Sequence, residues 1–171
     1  MLNSKQILEE GLLKLENTQG KPAQIGYDLS LKEVNKVGIN PFREEKIGMI
    51  LKDKTLLTDY TPVLTKNVDG KEGWLLYPGT YDVTFHEGCK LPNNRTAFIR
   101  QRSSLLRNGA IIASSVFDPG FITENIGTIM IVTETIFIEC GARIAQFYVH
   151  ESTPVDETYE GQWQNDKQRE L

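Results

Sequence analysis

Short segments of alternating apolar and polar residues, separated by glycine and proline, constrain the fold of this chain more than any other feature. In the clearest segment Tyr27, Leu29 and Leu31 share one face of an extended chain. Asp28 and Ser30 point to the opposite face, so the segment is predicted to be a half-buried β-strand. Many such segments separated by frequent turns favour one all-β barrel or sandwich with small helices.

The other elements follow from the same kind of pattern. A short N-terminal helix is predicted over residues 4–15, where apolar side chains recur at helical spacing. Asn3 or Ser4 can cap its start, and Gly11 favours an early end. One or two further helical turns are predicted from Ser103 to Gly109. Strands are predicted at residues 26–31, 46–50, 61–64, 74–77, 81–85, 96–100, 111–113, 126–132, 135–138 and 143–150.

The length of 171 residues suits one domain with its own hydrophobic core. We expect that β domain to cover residues 1–151, because residues 152–171 are polar and charged and are typical of a mobile C-terminal tail. The net charge of −4 gives no broad basic surface, so no nucleic acid partner is expected. Any polyanion must therefore be held by a local cluster of donors.

The sequence also bears on the compartment and on metal chemistry. The first residues lack a basic region followed by an apolar one, and no segment approaches the roughly 18 apolar residues of a membrane span. We therefore expect a cytoplasmic protein without membrane contact. Cys89 and Cys140 are far apart and are expected to be reduced thiols. The sequence contains neither a GxxxxGK(S/T) phosphate loop nor the paired cysteines of a zinc deaminase.

A first candidate site is the run Arg102-Ser103-Ser104, which offers a guanidinium group and two hydroxyls. These donors suit phosphate oxygens, and Arg107 follows within about one helical turn. The same residues are also typical of an exposed helix start capped by serine. The run therefore indicates an anion site but does not establish one alone.

A second candidate is Asp118-Pro119-Gly120-Phe121. Pro119 fixes its own φ angle and Gly120 permits turn conformations, so the Asp118 carboxylate is held just before a rigid turn. A carboxylate held in this way can orient a water molecule as a general base. Asp-Pro-Gly is equally a common turn sequence in which the aspartate only caps the turn. Phe121 suits either a core position or stacking against a ligand.

Two isolated polar residues complete the set of candidates. Gln146 lies on the predicted strand 143–150, where its amide can bind a phosphate or face solvent. Asp28 lies on the polar face of its own predicted strand. There it can be solvated, or it can hold a hydrated Mg²⁺ through water, which is common beside triphosphates.

In their order along the chain, these motifs resemble those of the dUTPase and dCTP deaminase superfamily. Gly26–Leu29 is similar to its first motif, Arg102–Leu105 to the deaminase-type RSSL motif, and Asp118–Phe121 to the deaminase-type DPG(W/F) motif. Gly141–Gln146 resembles the GxRIAQ motif of dUTPases. Tyr159–Gln164 resembles the YxGxYQ tail of the deaminase branch, with tryptophan for the second tyrosine. The resemblance covers about residues 1–164.

The resemblance implies a distorted, jelly-roll-like β-barrel with a short N-terminal helix, assembled as a homotrimer with active sites between subunits. It also implies Mg²⁺ as cofactor and dUTP, or a related pyrimidine deoxynucleoside triphosphate, as substrate. Asp118 would orient the attacking water, Asp28 would support the metal through water, and Phe121 would stack on the deoxyribose. The other implied substrate contacts are Arg102, Ser103, Ser104, Arg107 and Gln146 for the triphosphate, Ser114 and Ser115 beside the base, and Tyr159 and Gln162 in a closing tail.

One strand decides which reaction the resemblance implies. In the deaminase branch, a glutamate on the strand after the DPG turn transfers protons at the pyrimidine. That position falls near Thr128 or Ile129 in this chain, and neither side chain can shuttle a proton. The chain is therefore predicted to be a dUTP diphosphatase, which releases dUMP and pyrophosphate.

Three alternatives stay open on the sequence. The segment after the turn is longer than usual and could bring Glu124 to the deaminase position, which would give a dCTP deaminase or a bifunctional enzyme. Ser114 and Ser115 stand where the family usually has Ala-Gly or Ala-His, which suits a diphosphatase for another pyrimidine base. A nucleotide-binding regulatory protein without turnover is the third alternative.

Overall fold

β-Strands make up 50% of the structure and helices only 8%, in line with the repeated alternating segments. The computed structural model describes residues 1–38, 48–52, 55–161 and 163–166. The elements in chain order are α1 (Ser4–Glu9), β1 (Leu13–Lys14), β2 (Lys21–Pro22), β3 (Tyr27–Val37), β4 (Met49–Ile50), β5 (Thr55–Leu56), β6 (Tyr60–Pro62), β7 (Lys66–Val68), β8 (Lys71–Leu76), β9 (Gly79–Phe85), β10 (Gly88–Lys90), β11 (Arg95–Gln101), α2 (Ser103–Arg107), β12 (Ala110–Ile112), β13 (Val116–Phe117), β14 (Ile122–Thr123), β15 (Gly127–Val132), β16 (Ile136–Glu139), β17 (Arg143–Glu151) and the 3₁₀ helix η1 (Gln164–Asp166).

Strand β3 organises the main sheet because its two halves pair with different neighbours. Its first half pairs with β17, from Tyr27 opposite Phe147 to Ser30 opposite Arg143, and residues 31–36 pair with β9. The order within the described sheet is β12-β15-β9-β3-β17-β11-β13, all antiparallel, with β2 and β6 also paired to β3. Register shifts in both pairings bend the sheet, which curls into a half-barrel. The predicted all-β, jelly-roll-like class is confirmed.

Smaller sheets flank this main sheet in the described ranges. They have the orders β1-β10-β14, β16-β8-β7 and β4-β5. Side chains from several strands meet in one hydrophobic core, where Leu29, Phe85, Ile99, Met130 and Phe147 are fully buried. Both aromatic rings and aliphatic side chains therefore stabilise the curled sheet by burial. Within the same ranges, no helix has the length and apolar character needed to cross a membrane.

The predicted elements differ from the observed ones mainly at their ends, but the short strands β1, β2, β5, β7, β10, β13 and β14 were not predicted. Helix α1 begins with a capping box, in which the Asn3 side chain accepts from the Gln6 amide at 2.9 Å and the Gln6 side chain accepts from the Asn3 amide at 3.0 Å. It ends well before residue 15, because Leu13 pairs with Cys89 in the β1–β10 ladder. The predicted strand 46–50 lies partly outside the described residues, and its described part is β4.

The alternating pattern of residues 27–31 gives a wrong expectation of burial, because this first part of β3 is buried on both faces. Asp28 is 6% exposed and Ser30 is fully buried. Each has a charged partner: Asp28 lies 3.6 Å from Arg102, and Ser30 donates to Glu87 at 2.7 Å. Polar groups that lose water need such partners to offset their desolvation. The polar face of β3 is therefore an internal hydrogen-bonded layer.

Glu87 is a fully buried carboxylate that joins three segments of the chain. It accepts hydrogen bonds from the Ser30 amide at 2.9 Å and the Gly20 amide at 3.2 Å, and the Thr18 hydroxyl is another donor. A Cβ atom on residue 20 would lie 2.3 Å from the carbonyl oxygen of Asp28, so glycine is required for this close approach. The network therefore fixes the connection before β3 against the strand that carries Asp28.

Replacement of Glu87 by alanine is expected to lower the free energy of unfolding by about 3 kcal/mol, because buried donors of Ser30, Gly20 and Thr18 lose a charged acceptor. Urea denaturation followed by circular dichroism measures the change. Glu16→Ala, at an exposed position between β1 and β2, is the matched control and should leave the denaturation midpoint unchanged. A Glu87→Ala midpoint equal to that of the control would contradict the stabilising role of the network.

Candidate functional site

The register of strand β11 places the two main sequence motifs far apart within one chain. β11 pairs with β13 so that Ala97 stands opposite Phe117. Continuing this antiparallel register puts Asp118 level with Thr96, whereas Arg102 follows the opposite end of β11. Residues 96 to 102 span about 20 Å of extended chain, at roughly 3.3 Å per residue. The side chains of Arg102 and Asp118 therefore belong to different parts of the surface.

The Arg102 cavity is an open groove of about 1050 Å³ on the face of β11 and β17. The Nε atom of Arg102 lies 3.6 Å from Oδ2 of Asp28, and its Nη1 donates to the Arg143 carbonyl at 3.2 Å. The Asp28 side chain is 8% exposed and that of Arg102 is 37% exposed, so one side of the guanidinium group stays open to a ligand. Three cross-strand pairs supply half of the lining residues of the groove: Thr96 with His150, Phe98 with Tyr148, and Arg100 with Gln146.

Gln146 stands beside Asp28 in this groove, because the two residues are direct partners in the β17–β3 pairing. Its Nε2 donates to the Ile25 carbonyl at 2.9 Å, and its Oε1 accepts from the Tyr148 hydroxyl. Neighbouring protein groups thus orient the amide, whose second N–H can still donate to a ligand. With the guanidinium groups of Arg100 and Arg102 in the same groove, the arrangement suits a polyanion.

The other predicted phosphate contacts follow Arg102 on helix α2. Ser103, Ser104 and Arg107 are all exposed on this short helix. They adjoin the Arg102 cavity in sequence but do not belong to its lining. Their hydroxyl and guanidinium groups are accessible to an anion that extends beyond the groove.

A second cavity, the Asp118 cavity, has a volume of about 430 Å³ and shares no lining residue with the first. Asp118, Ser115, Phe121 and Tyr159 line it, so these four predicted site residues do come together. Ser114 is exposed and is not part of the lining. The rest of the lining comes from β9, β13 and β15, from the segments beside them and from residues 57, 60 and 163.

The turn that carries Asp118 is closed by the Phe121 amide, which donates to the Asp118 carbonyl at 3.1 Å. The Asp118 side chain is exposed at the cavity. Phe121 is only 9% exposed, and its ring centroid lies 5.3 Å from that of Phe117 and 5.5 Å from that of Tyr159. Phe121 is therefore chiefly a core residue that fixes the turn, with little ring surface open to a ligand.

Among the described residues of the C-terminal segment, Tyr159 and Trp163 line the Asp118 cavity and none lines the Arg102 cavity. The Tyr159 amide donates to the Pro119 carbonyl at 2.9 Å, and Trp163 lines the same cavity as Tyr159. Gln162, which was also predicted to contact substrate, lies outside the described residues. In the described positions the tail thus packs on the turn of Asp118, at a distance from the side chains predicted to hold the triphosphate.

Neither Thr128 nor Ile129, where the resemblance places the deaminase glutamate, carries an acid–base group. The Thr128 hydroxyl donates to the Ala113 carbonyl at 2.7 Å, and Ile129 is apolar. Glu124 is bound by Lys14, its side chain is 73% exposed, and it is not part of the lining of the Asp118 cavity. The lengthened segment after the turn thus directs Glu124 away from this cavity.

Two polar residues of the Asp118 cavity were missed from the sequence. Asp82 stands opposite Ile129 in the β9–β15 pairing and lines the cavity. Asn125 also lines it, and its amide donates to the Phe85 and His86 carbonyls, each at 3.1 Å. Alternation in residues 81–85 places Asp82 on the polar face of its strand. The sequence does not show that this face lies beside β15 and the cavity, because strand pairing is known only from the fold.

The donor set fits a Mg²⁺ ion that arrives with a substrate. The described residues contain no group of three or more His, Cys, Asp or Glu side chains able to hold a metal. Asp28 is nevertheless a nearly buried carboxylate that faces the Arg102 cavity. Magnesium beside phosphates commonly uses one or two carboxylates together with phosphate oxygens and water. Asp28 would supply the protein's part of such a set.

Burial raises the pKa of two side chains that line neither cavity. Burial, together with the negative charge of Glu87, raises the pKa of Tyr27, although a hydrogen bond with Thr18 opposes the shift. Burial and the nearby Glu72 carboxylate raise the pKa of the Cys140 thiol. Both groups therefore remain protonated at neutral pH, and Cys140 packs against the core as a free thiol.

The comparison with known proteins agrees with this architecture. The profile of the dCTP deaminase-like family matches residues 2–152, and the chain belongs to that family. A crystal structure of 2′-deoxycytidine 5′-triphosphate deaminase from Agrobacterium tumefaciens is similar in fold, with a TM-score of 0.59 and 17% sequence identity. The match covers 86% of this chain and 47% of that one, so the chain spans about half the length of the deaminase.

Relatives of higher identity carry a different name. The probable deoxyuridine 5′-triphosphate nucleotidohydrolase of Methanosarcina mazei is 31% identical over 89% of this chain and 87% of its own. That of Halobacterium salinarum is 33% identical over 83% and 82% of the two chains. The deoxyuridine 5′-triphosphate nucleotidohydrolase of Methanocaldococcus jannaschii is 34% identical over 81% and 83%.

Proposed function

We propose that this protein is a dUTP diphosphatase, which hydrolyses dUTP to dUMP and pyrophosphate. The observation that carries the proposal is the Thr128 hydroxyl, bound to the Ala113 carbonyl at the position where deamination would need an acid–base group. The names of relatives that match over four fifths of both chains support the same reaction. A deaminase-like chain without the deaminase carboxylate retains what hydrolysis needs.

The proposed reaction needs one base and a set of phosphate ligands. Asp118, exposed at its cavity, would accept a proton from water as that water attacks the α-phosphorus. The bond from the α-phosphorus to the bridging oxygen then breaks, and pyrophosphate leaves with that oxygen. Phosphoryl chemistry of this kind depends on positioning and on charge stabilisation. The Asp118 turn and the Arg102 groove supply these two requirements separately.

The separation of the two cavities supports an active site built from two copies of the chain. Arg102 and Asp118 lie about 20 Å apart along the direction of β11, which is far more than the length of a triphosphate. A substrate held by Arg102 of one copy therefore needs Asp118 of a neighbouring copy. Closed cyclic assembly provides such a neighbour at every site, and a homotrimer is the arrangement we propose.

On the phosphate side, Arg102 and Gln146 would bind oxygens inside the groove, and Ser103, Ser104 and Arg107 would bind oxygens that extend beyond it. Asp28 holds the Arg102 guanidinium group in place at 3.6 Å. Asp28 would hold Mg²⁺ through water, and the bound ion would neutralise part of the phosphate charge.

On the base side, Ser115 lies near the proposed pyrimidine position, with Ser114 beside it. From its fixed core position, Phe121 would limit the space around the deoxyribose. A sugar with a 2′-hydroxyl would then be excluded by the bulk of the ring. Tyr159 and Trp163 form part of the wall of the same cavity. Tyr159 and Gln162 would belong to the closing tail that the family resemblance implies. Recognition and catalysis would then share the Asp118 end of the site.

The central test is product analysis with dUTP, dCTP, dTTP and UTP in the presence of Mg²⁺. We expect dUTP to yield dUMP and pyrophosphate, and Asp118→Asn to lower kcat about 1000-fold by removing the base. The nearby exposed Asp156→Asn is the matched control and should keep wild-type kinetics. Survival of dUTP, or full activity of Asp118→Asn, would contradict the proposal.

Deamination of dCTP is a second candidate function, which one observation favours. Residues directly opposite in neighbouring strands share a face of the sheet, and Asp82 is opposite Ile129. A carboxylate therefore lies in the Asp118 cavity, one strand away from the position of the deaminase glutamate. Glu124 does not line this cavity.

Ammonia release from dCTP tests this candidate. If deamination occurs through Asp82, we expect Asp82→Asn to abolish ammonia release and Glu124→Gln to preserve it, because only Asp82 lines the cavity. Stability of dCTP with the wild-type protein would exclude the second candidate. Loss of ammonia release with Glu124→Gln alone would show that the exposed glutamate moves into the site.

A further inference from the structure

We propose that Gln164 is a positioning residue for Asp118 of its own chain. In this proposal the described part of the C-terminal segment holds the turn of Asp118 in place. This inference rests on the proposed function and assigns the segment a task other than covering the phosphates. The described residues concerned are Thr158, Tyr159, Trp163 and Gln164, with turn residues 118–122.

The Gln164 side chain bridges the turn through three hydrogen bonds. Its Oε1 accepts from the Ile122 amide at 2.8 Å, and its Nε2 donates to the Gly120 carbonyl at 2.9 Å and to the Tyr159 carbonyl at 3.0 Å. The two groups it binds on the turn flank Phe121 on either side. One half-buried side chain thereby links the turn to the backbone of the tail.

The chemistry of these contacts requires a carboxamide of this length. The bridge needs one acceptor and two donors on the same planar group, which the glutamine and asparagine side chains provide. A glutamate of the same size would keep the acceptor but would lose both donors. It would also direct negative charge at the carbonyl oxygens of Gly120 and Tyr159, which is unfavourable where the group is partly desolvated.

Other contacts of the same segment hold the turn at neighbouring points. The Tyr159 amide donates to the Pro119 carbonyl at 2.9 Å, and the Tyr159 ring packs against that of Phe121. Gly120 has a φ of +86°, and a Cβ there would lie 2.4 Å from Cβ of Thr158. Only glycine permits both this conformation and this close approach. The tail and the turn are therefore fitted to each other.

The turn is also held from its other side by the chain after β10. The Gly120 amide donates to the Leu91 carbonyl at 3.1 Å, and the Leu91 amide donates to the Phe121 carbonyl at 2.9 Å. The turn thus lies between residue 91 and the C-terminal segment. Loss of the Gln164 bridge would free one side of it and let the Asp118 carboxylate sample positions away from the attacking water.

The expected kinetic effect is a fall in kcat without a matching change in KM. A misplacement of about 1 Å costs on the order of 100-fold in rate, so we expect Gln164→Glu to lower kcat for dUTP by about 10- to 100-fold. The Arg102 groove is untouched by the change, so KM should stay within about threefold of the wild-type value. Glu157→Gln, at an exposed tail position, is the control and should behave as wild type.

Three results would overturn the inference. An increase in KM at constant kcat would mean that the tail acts on the bound phosphates, and unchanged values of both parameters would mean that Gln164 has no role in the reaction. The melting temperature of Gln164→Glu should remain within a few degrees of wild type. A large fall would assign the kinetic loss to unfolding and would also count against positioning.

Hydrogen exchange tests the bridge independently of turnover. The Ile122 amide should exchange faster in Gln164→Ala than in wild type, because Gln164 Oε1 is its acceptor. An unchanged exchange rate of the Ile122 amide would contradict its hydrogen bond to Gln164, whatever the activity of the variant. Faster exchange in a protein that does not hydrolyse dUTP would overturn the proposed function while leaving the bridge in place.

Discussion

The antiparallel register of β11 is the constraint on which the rest of this structure depends. It aligns β13 on one side and β17 on the other, and so fixes where the residues that follow each strand emerge. Arg102 emerges beside Asp28 and Gln146, whereas Asp118 emerges among Phe117, Phe121 and the C-terminal segment. A strand is a stiff spacer, so side-chain motion cannot close the gap of about 20 Å between these two groups.

Buried polar contacts hold the proposed phosphate side of this arrangement. Asp28 is nearly excluded from water, and the Arg102 guanidinium group provides its opposite charge. Glu87 is a second buried carboxylate with a partner on the same face of β3. It accepts hydrogen bonds from Ser30, two residues after Asp28. Removing either carboxylate would leave its partner with an unmet charge or donor. The groove therefore has an oriented guanidinium group before any ligand is present, which reduces the ordering that binding requires.

The element pattern and the motifs could be predicted from the sequence, whereas the burial and the grouping of side chains could not. The sequence pattern located the strands β9, β11 and β17, whose predicted ranges 81–85, 96–100 and 143–150 overlap the observed ones. It failed for Asp28 and Ser30, since burial on both faces depends on strands remote in sequence. Asp82 could not be predicted as a cavity residue for the same reason. Its position depends on the pairing of β9 with β15, which places it opposite Ile129. The contact of Gln164 with Gly120 and Ile122 depends on how the tail folds back, which no periodicity encodes.

In the mechanism that we propose, each active site takes Arg102 from one chain and Asp118 from another. Active-site complementation tests it most directly: Arg102→Ala and Asp118→Asn, each inactive alone, are unfolded together and refolded as mixed oligomers, and dUTP hydrolysis is measured. If both residues come from different chains, random mixing at equal amounts restores about one quarter of wild-type activity, because half of the chains supply each intact residue. No recovery in mixed oligomers of confirmed composition would place both residues of a site in one chain and would contradict the account.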